Sequence, residues 1–311
     1  MLFTIGYAVG VVLLTLWTLH RLLHPPRRTY ASALAQGRPG QPDQLAARNG
    51  QRRTFESWTI TSHGHSLPVW DFPGDAPAGP VFILTHGWGD SRIGALTRAQ
   101  ALLPHSSRII AWDMPGHGDA PDDSACALGA HEHEALRTLI ERVTSSQAPG
   151  SAPVFLLGWS LGAGVSIAAM SGWAEPAAAL VRGIIAEAPY RLPQTPARNM
   201  LKSFGLPFAV NLPIALALAR WRIGAPPLWG MAGGTFDRAA LARGLVCPLL
   251  VIHGEDDAIS PVEDGRDIAA AAPRGGLLTL PGVGHYSIWT GECVGKVVGR
   301  VGGLVETQAQ S

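Results

Sequence analysis

The chain opens on its longest apolar run. Residues 2–19 (LFTIGYAVGVVLLTLWTL) carry no charged side chain, and an uninterrupted run of about 18–20 residues matches the hydrocarbon thickness of a bilayer. His20, Arg21, His24, Arg27 and Arg28 follow at once, and Pro25-Pro26 ends any helix there. Tyr7 and Trp17 stand near the two ends of the run, as interfacial aromatics do. A cleaved signal sequence would carry its basic residues ahead of the apolar run and a small-residue site behind it; here the basic cluster is on the other side. Residues 1–26 are therefore expected to be a single-pass membrane anchor in contact with the lipid bilayer. The basic flank favours a cytoplasmic position for the domain that follows, an extracytoplasmic one being the alternative.

Residues 27–53 are rich in Pro, Gly, Gln and Arg without apolar periodicity, and read as a juxtamembrane linker. Beyond them the pattern changes to short apolar runs alternating with longer amphipathic stretches. Phe55–Thr61 and Leu67–Phe72 predict an antiparallel hairpin turning at His63-Gly64-His65. Val81–Thr85, Ile109–Trp112, Val154–Leu157, Gly183–Ala186, Leu249–Ile252 and Leu277–Leu280 are continuous apolar runs of strand length, suited to central strands covered on both faces. Arg92–Leu103, His131–Ser145, Leu161–Trp173 and Val262–Ala272 predict helices between them. This alternation predicts an α/β fold with a doubly wound, mostly parallel sheet over residues 54–303, with residues 304–311 as a tail. Residues 191–243 break the rhythm and predict a small helical cap, since long insertions in compact domains are usually functional.

Composition narrows the classes. With 47% hydrophobic and 15% charged residues over 311 positions, the chain can bury a large core. A net charge of +1 without a dense Lys/Arg stripe gives no reason to expect nucleic acid as a partner. Cys126, Cys247 and Cys293 are widely spaced, match no zinc or redox motif, and read as buried hydrophobes in a reducing compartment.

The candidate chemistry sits at the ends of the predicted strands. Gly158-Trp159-Ser160-Leu161-Gly162 lies between an apolar strand and a small-residue helix, the one context in which Gly-x-Ser-x-Gly lifts a serine hydroxyl out of a strand edge. A serine needs a base to become a nucleophile, and the base needs an orienting acid. His285 in Gly284-His285-Tyr286 follows the strand ending at Leu280, and Asp257 in Gly254-Glu255-Asp256-Asp257 follows the strand ending at Ile252. All three then fall on the carboxyl edge of the sheet, where open α/β sheets bind ligands. The backbone N–H groups of Trp88, in His86-Gly87-Trp88-Gly89, and of Leu161 are the expected oxyanion donors.

Together with Asp113-Met114-Pro115-Gly116-His117-Gly118, these motifs resemble those of the α/β-hydrolase superfamily, in the expected order over about residues 55 to 300. The resemblance implies an eight-stranded sheet, a cap inserted after the sixth strand, and a Ser160–Asp257–His285 triad. It is similar in layout to membrane-tethered esterases and lipase-like hydrolases, and to hydrolases of prolyl-oligopeptidase type. The expected function is a serine esterase that cleaves a small-molecule ester or acyl substrate through an acyl-serine. A peptidase or amidase is the alternative enzyme, and a hydrolase-like membrane protein that binds a ligand without turnover is the non-enzyme reading. Asp256 and Glu187 are the other candidate acids, Asp257 being favoured by its spacing to Ile259 and Pro261 as the family has it.

His86, Asp113 and His117 are expected to support the site structurally. The histidines of His131-Glu132-His133-Glu134 are two residues apart and point to different helix faces; no metal or organic cofactor is called for. Phe204, Phe208, Trp221 and Trp229 in the predicted cap suggest an apolar substrate group, or simply a cap packing on the sheet.

Overall fold

The computed structural model describes residues 2–46, 50–145, 152–225 and 236–309. It begins with α1 (Leu2–Leu23) and the short α2 (Tyr30–Ala35), which is capped by Thr29 accepting from the Ser32 N–H. β1 (Glu56–Ser62) and β2 (His65–Pro73) form the hairpin. Its two loop residues, His63 and Gly64, have φ of 49° and 79°, the pair of left-handed conformations that a type I′ turn requires. β3 (Val81–Thr85), α3 (Arg92–Leu102), β4 (Arg108–Trp112), α4 (Glu132–Ser145), β5 (Val154–Trp159), α5 (Leu161–Met170), the single turn α6 (Pro176–Ala179) and β6 (Val181–Glu187) then alternate. The insertion follows as α7 (Gln194–Ser203) and α8 (Asn211–Arg222), with α9 (Arg238–Ala242) returning the chain to the sheet. β7 (Leu249–Gly254), α10 (Val262–Ala271), β8 (Gly275–Leu280) and α11 (Cys293–Ala309) complete it.

The eight strands form one sheet in the order β1-β2-β4-β3-β5-β6-β7-β8. β1 and β2, and β2 and β4, pair antiparallel, and every other pair is parallel. The expected doubly wound α/β sheet is thus the one formed. In β3 all five residues are buried, with Val81 and Ile83 facing one core cluster and Phe82 and Leu84 the other, as the two-residue period of a strand dictates. Leu136, Leu139 and Ile140 of α4, with Ile268 of α10, close the first cluster. Leu96 and Ala99 of α3, with Val297 and Val301 of α11, close the second.

The sequence pattern gave no sign of α11. Gly295, Gly299, Gly302 and Gly303 lower its helix propensity by roughly 1 kcal/mol each relative to Ala, and a Cβ at any of them would meet nothing within 4 Å. Tertiary packing of Val297, Val301 and Leu304, spaced for one helix face, holds the helix in place.

The segment after α1 is laid onto the domain. The Leu23 carbonyl accepts from the Cys126 N–H at 2.9 Å. The Arg27 guanidinium donates to the carbonyls of Gly118, Ala120 and Pro121 at 3.1, 2.5 and 3.2 Å. Arg28 pairs with Asp90 at 3.2 Å, Ala33 and Leu45 join the second core cluster, and Arg53 is buried against Asp75 and the Pro73 carbonyl. α1 itself is long and apolar enough to cross a membrane, a property that a signal sequence shares. It packs along α8, where Asn211 Nδ2 donates to Thr18 Oγ1 at 3.0 Å.

The aromatics of the insertion differ in burial. Phe204 and Trp221 are 64% and 81% exposed and Phe208 is half-buried; Trp229 lies outside the described residues. Cys126 and Cys247 are buried free thiols, and burial pushes both thiols up, Cys247 to about 11.

Because Arg27 satisfies three carbonyls of one loop, Arg27→Ala is expected to lower stability by about 1–2 kcal/mol. Urea unfolding of the variant beside wild type measures it, and an unchanged midpoint would refute the role.

Candidate active site

The parallel strands β3, β5, β7 and β8 all end at one edge of the sheet. From that edge their loops deliver Trp88, Ser160, Asp257 and His285.

Ser160 links β5 to α5 with φ of 53° and ψ of −113°. A non-glycine residue adopts such a backbone only where its surroundings over-determine it. Its surroundings are backbone packed on backbone. A Cβ at Gly158 would lie 2.2 Å from the Gly162 carbonyl oxygen, and one at Gly162 would lie 2.0 Å from that of Thr85. The two glycines let α5 start directly against β3 and β5, and the Ser160 N–H is fixed by the Glu187 carbonyl at 2.8 Å.

Asp257 is held on both oxygens. Oδ1 accepts from the N–H groups of Ile259 and Ser260 at 2.9 and 2.8 Å, and Oδ2 accepts from His285 Nδ1 at 2.6 Å. His253 Nε2, which donates to the Ser260 carbonyl at 2.8 Å, stands 3.4 Å from the same Oδ2. Burial opposes ionisation of Asp257, but the hydrogen bonds from His253, His285 and the Ser260 N–H outweigh it and hold the carboxyl well below the usual carboxylate range. Asp256 is exposed, and the Glu187 carboxylate is occupied elsewhere. It accepts from Arg98 at 2.8 and 2.5 Å and from the Trp289 indole at 2.6 Å. Hydrogen bonding thus joins His285 to Asp257; among the described residues none joins His285 to Ser160.

The loop after β3 is braced on three sides. The Trp159 indole donates to Asp90 Oδ2 at 3.2 Å, the Trp88 indole donates to the Leu22 carbonyl at 3.1 Å, and Arg28 reaches Asp90 from the N-terminal segment. Among the described residues the backbone N–H groups of Trp88 and Leu161 donate to no protein acceptor.

A pattern common to one protein family matches residues 82–293, and its description is that of the alpha/beta hydrolase family. This chain belongs to that family. Across 238 residues it is 26% identical to the pimeloyl-[acyl-carrier protein] methyl ester esterase of Chromobacterium violaceum, covering 67% of this chain and 87% of the relative. The esterase Pf2001 of Pyrococcus furiosus has the same fold, with a TM-score of 0.68 at 18% identity over 92% of this chain and 98% of that one. So does the esterase RhEst1 of Rhodococcus sp. ECU1013, with a TM-score of 0.54 at 20% identity over 82% and 99% of the two chains. The chain is an esterase-like alpha/beta hydrolase.

Other family motifs serve the hydrolase site as supports. His86 Nε2 accepts from the Met114 N–H at 3.0 Å and Nδ1 stands 2.8 Å from the Gly87 carbonyl, which it therefore donates to; burial pushes its pKa down and keeps the ring neutral. Asp113 receives the Arg92 and Asp119 N–H groups and the Arg92 guanidinium. His117 packs edge-on against His86. His131 is tied to the Ile223 carbonyl at 2.8 Å, and among the described residues no group of three or more metal-ligating side chains is present.

Sequence reasoning missed Arg98, His253, Asp90 and Trp289. Arg98 is a half-buried cation on α3, one helical turn and more beyond the buried Arg92, and no local pattern marks it. It pairs with Glu187 beneath the Trp159 ring, 3.8 Å from the ring centroid. Arg98→Ala would leave Glu187 buried and unpaired, and a loss of about 3–5 kcal/mol is expected by denaturant unfolding.

Asp257 sets a pH dependence. Its folded pKa lies below the unfolded value, so its contribution is complete above the unfolded pKa of about 3.9 and is lost as pH falls toward the folded value. Asp257→Asn should be less stable than wild type at pH 7, with the difference narrowing below about pH 4. A parallel pH profile of the two proteins would contradict this.

Proposed function

We propose that this hydrolase cleaves carboxylic esters by transferring the acyl group first to Ser160 and then to water. The observation that carries the reading is the Asp257–His285 hydrogen bond, at the sheet edge where the strained turn after β5 presents Ser160. A carboxylate on Nδ1 selects the tautomer in which Nδ1 carries the proton and Nε2 keeps its lone pair.

Ser160 Oγ adds to the ester carbonyl carbon while its proton passes to His285 Nε2. The carbonyl oxygen becomes an oxyanion directed at the N–H groups of Trp88 and Leu161, both without protein acceptors among the described residues. The bond to the alkoxy oxygen then breaks, and the imidazolium returns its proton to the departing alcohol. Water repeats the sequence: it loses a proton to His285, adds to the acyl carbon, and releases the carboxylic acid with the proton restored to Ser160. Asp257 stays ionised throughout, steadying the imidazolium.

The methyl ester esterase relative supports a small-molecule ester as the substrate class. Apolar α1 supports attachment to a membrane, and the basic residues after it favour its cytoplasmic side.

Full-length protein is expected to hydrolyse short p-nitrophenyl esters and to be labelled by a fluorophosphonate. Ser160→Ala should lose labelling and at least about 10³-fold in kcat, and Asp257→Asn about 10⁴-fold. Labelling of Ser160→Ala equal to wild type would rule the assignment out.

A further inference from the structure

Two stretches of this chain contain no carboxylate. All 23 acidic residues lie outside residues 1–42 and 191–236, whereas nine Lys and Arg lie within them. These stretches are far apart in sequence, yet the fold joins them: α1 packs along α8, closed by the Thr18–Asn211 hydrogen bond and by buried Thr15, Ala215 and Ala219. Both helices also leave apolar side chains open. Val12, Leu16 and Trp17 of α1 and Ile214, Leu218 and Trp221 of α8 are all exposed. Arg220 and Arg222 flank Trp221 on α8 and, like Lys202 of α7, are exposed, with no carboxylate partner among the described residues.

The burial pattern also limits how α1 can meet a bilayer. Ile5 to Gly10 are exposed on all sides, but from Val11 onward each turn has a residue closed off by the protein, including Thr15, Thr18 and Leu23. Val11 to Leu23, roughly 20 Å of helix at 1.5 Å per residue, thus keeps one side on protein and cannot be surrounded by a hydrocarbon core of ~30 Å. The last turn is fixed as well, because the Leu22 and Leu23 carbonyls accept hydrogen bonds from Trp88 and Cys126.

We propose that α1 and α8 form one docking face that embeds in a single leaflet of a bilayer bearing anionic headgroups, without crossing it. This attachment is shallower than the single-pass anchor expected from the sequence. A bilayer fits better than a second copy of the chain. Both copies of such a face would be cationic, so pairing would set like charge against like, whereas anionic lipid complements the bordering Lys and Arg. Apolar side chains in the acyl region with cations at headgroup level is the arrangement of in-plane membrane helices. The proposal does not depend on the esterase assignment, since it is read by partition alone.

The test uses full-length protein and vesicles of phosphatidylethanolamine and phosphatidylglycerol. Trp221→Glu is expected to lower vesicle partition at least tenfold with an unchanged thermal midpoint, and Leu218→Glu to do the same should the first variant fold poorly. An epitope fused ahead of Met1 is expected to be digested by protease added outside sealed vesicles that carry the domain on their outer surface. Partition of both variants equal to wild type, or an epitope protected until detergent is added, would mean that α1 crosses alone and would overturn the proposal. So would loss of a dimer in these variants with vesicle binding retained.

Discussion

Everything around the site depends on one close approach of backbone to backbone. At Gly158 and Gly162 there is no room for a Cβ, because the Gly162 and Thr85 carbonyls occupy the places it would take. That contact sets α5 against two central strands and forces Ser160 into a left-handed conformation between them. The strain persists because the flanking elements are fully buried: every residue of β5, and all of α5 but Ala168, is closed from solvent. A loop could not hold a hydroxyl so well, since its backbone would relax.

Around this fixed point the remaining groups arrive on strand ends, and their side chains are secured by polar contacts. Asp257 is pinned by two backbone N–H groups before it meets His285. Glu187, at the end of the neighbouring strand, fulfils a different duty. Its carboxylate joins Arg98 of α3 to Trp289 of the loop after β8, locking two elements behind the Trp159 ring. Two acidic residues at adjacent strand ends therefore differ in role because one faces an imidazole and the other a guanidinium.

Much of this was legible in the residues. Continuous apolar runs marked the parallel strands because both faces of the sheet are covered, and His63-Gly64 marked the hairpin because few residues accept positive φ. Gly-x-Ser-x-Gly was informative by position, between strand and helix. Other features were hidden for physical reasons. The glycines of α11 mask a helix that packing sustains, and a Pro- and Gly-rich composition concealed that Arg27 and Arg53 are bound to the domain. Exposure of Trp221 depends on which way α8 faces, and an aromatic in an apolar stretch does not disclose that. The pairing of α1 with α8 joins segments nearly 200 residues apart, beyond the reach of any local pattern.

The bond from the Trp88 indole to the Leu22 carbonyl moves the border of the catalytic unit. By hydropathy Leu22 and Leu23 belong to the apolar helix; by hydrogen bonding they belong to the domain, through Trp88 and Cys126. A shortened version made for solubility would have to begin ahead of Leu22, since a start after Pro26 strips acceptors from Trp88 and Cys126. The end of the helix is consequently part of the folded domain: cutting it away removes two main-chain acceptors and the buried Leu23 side chain together.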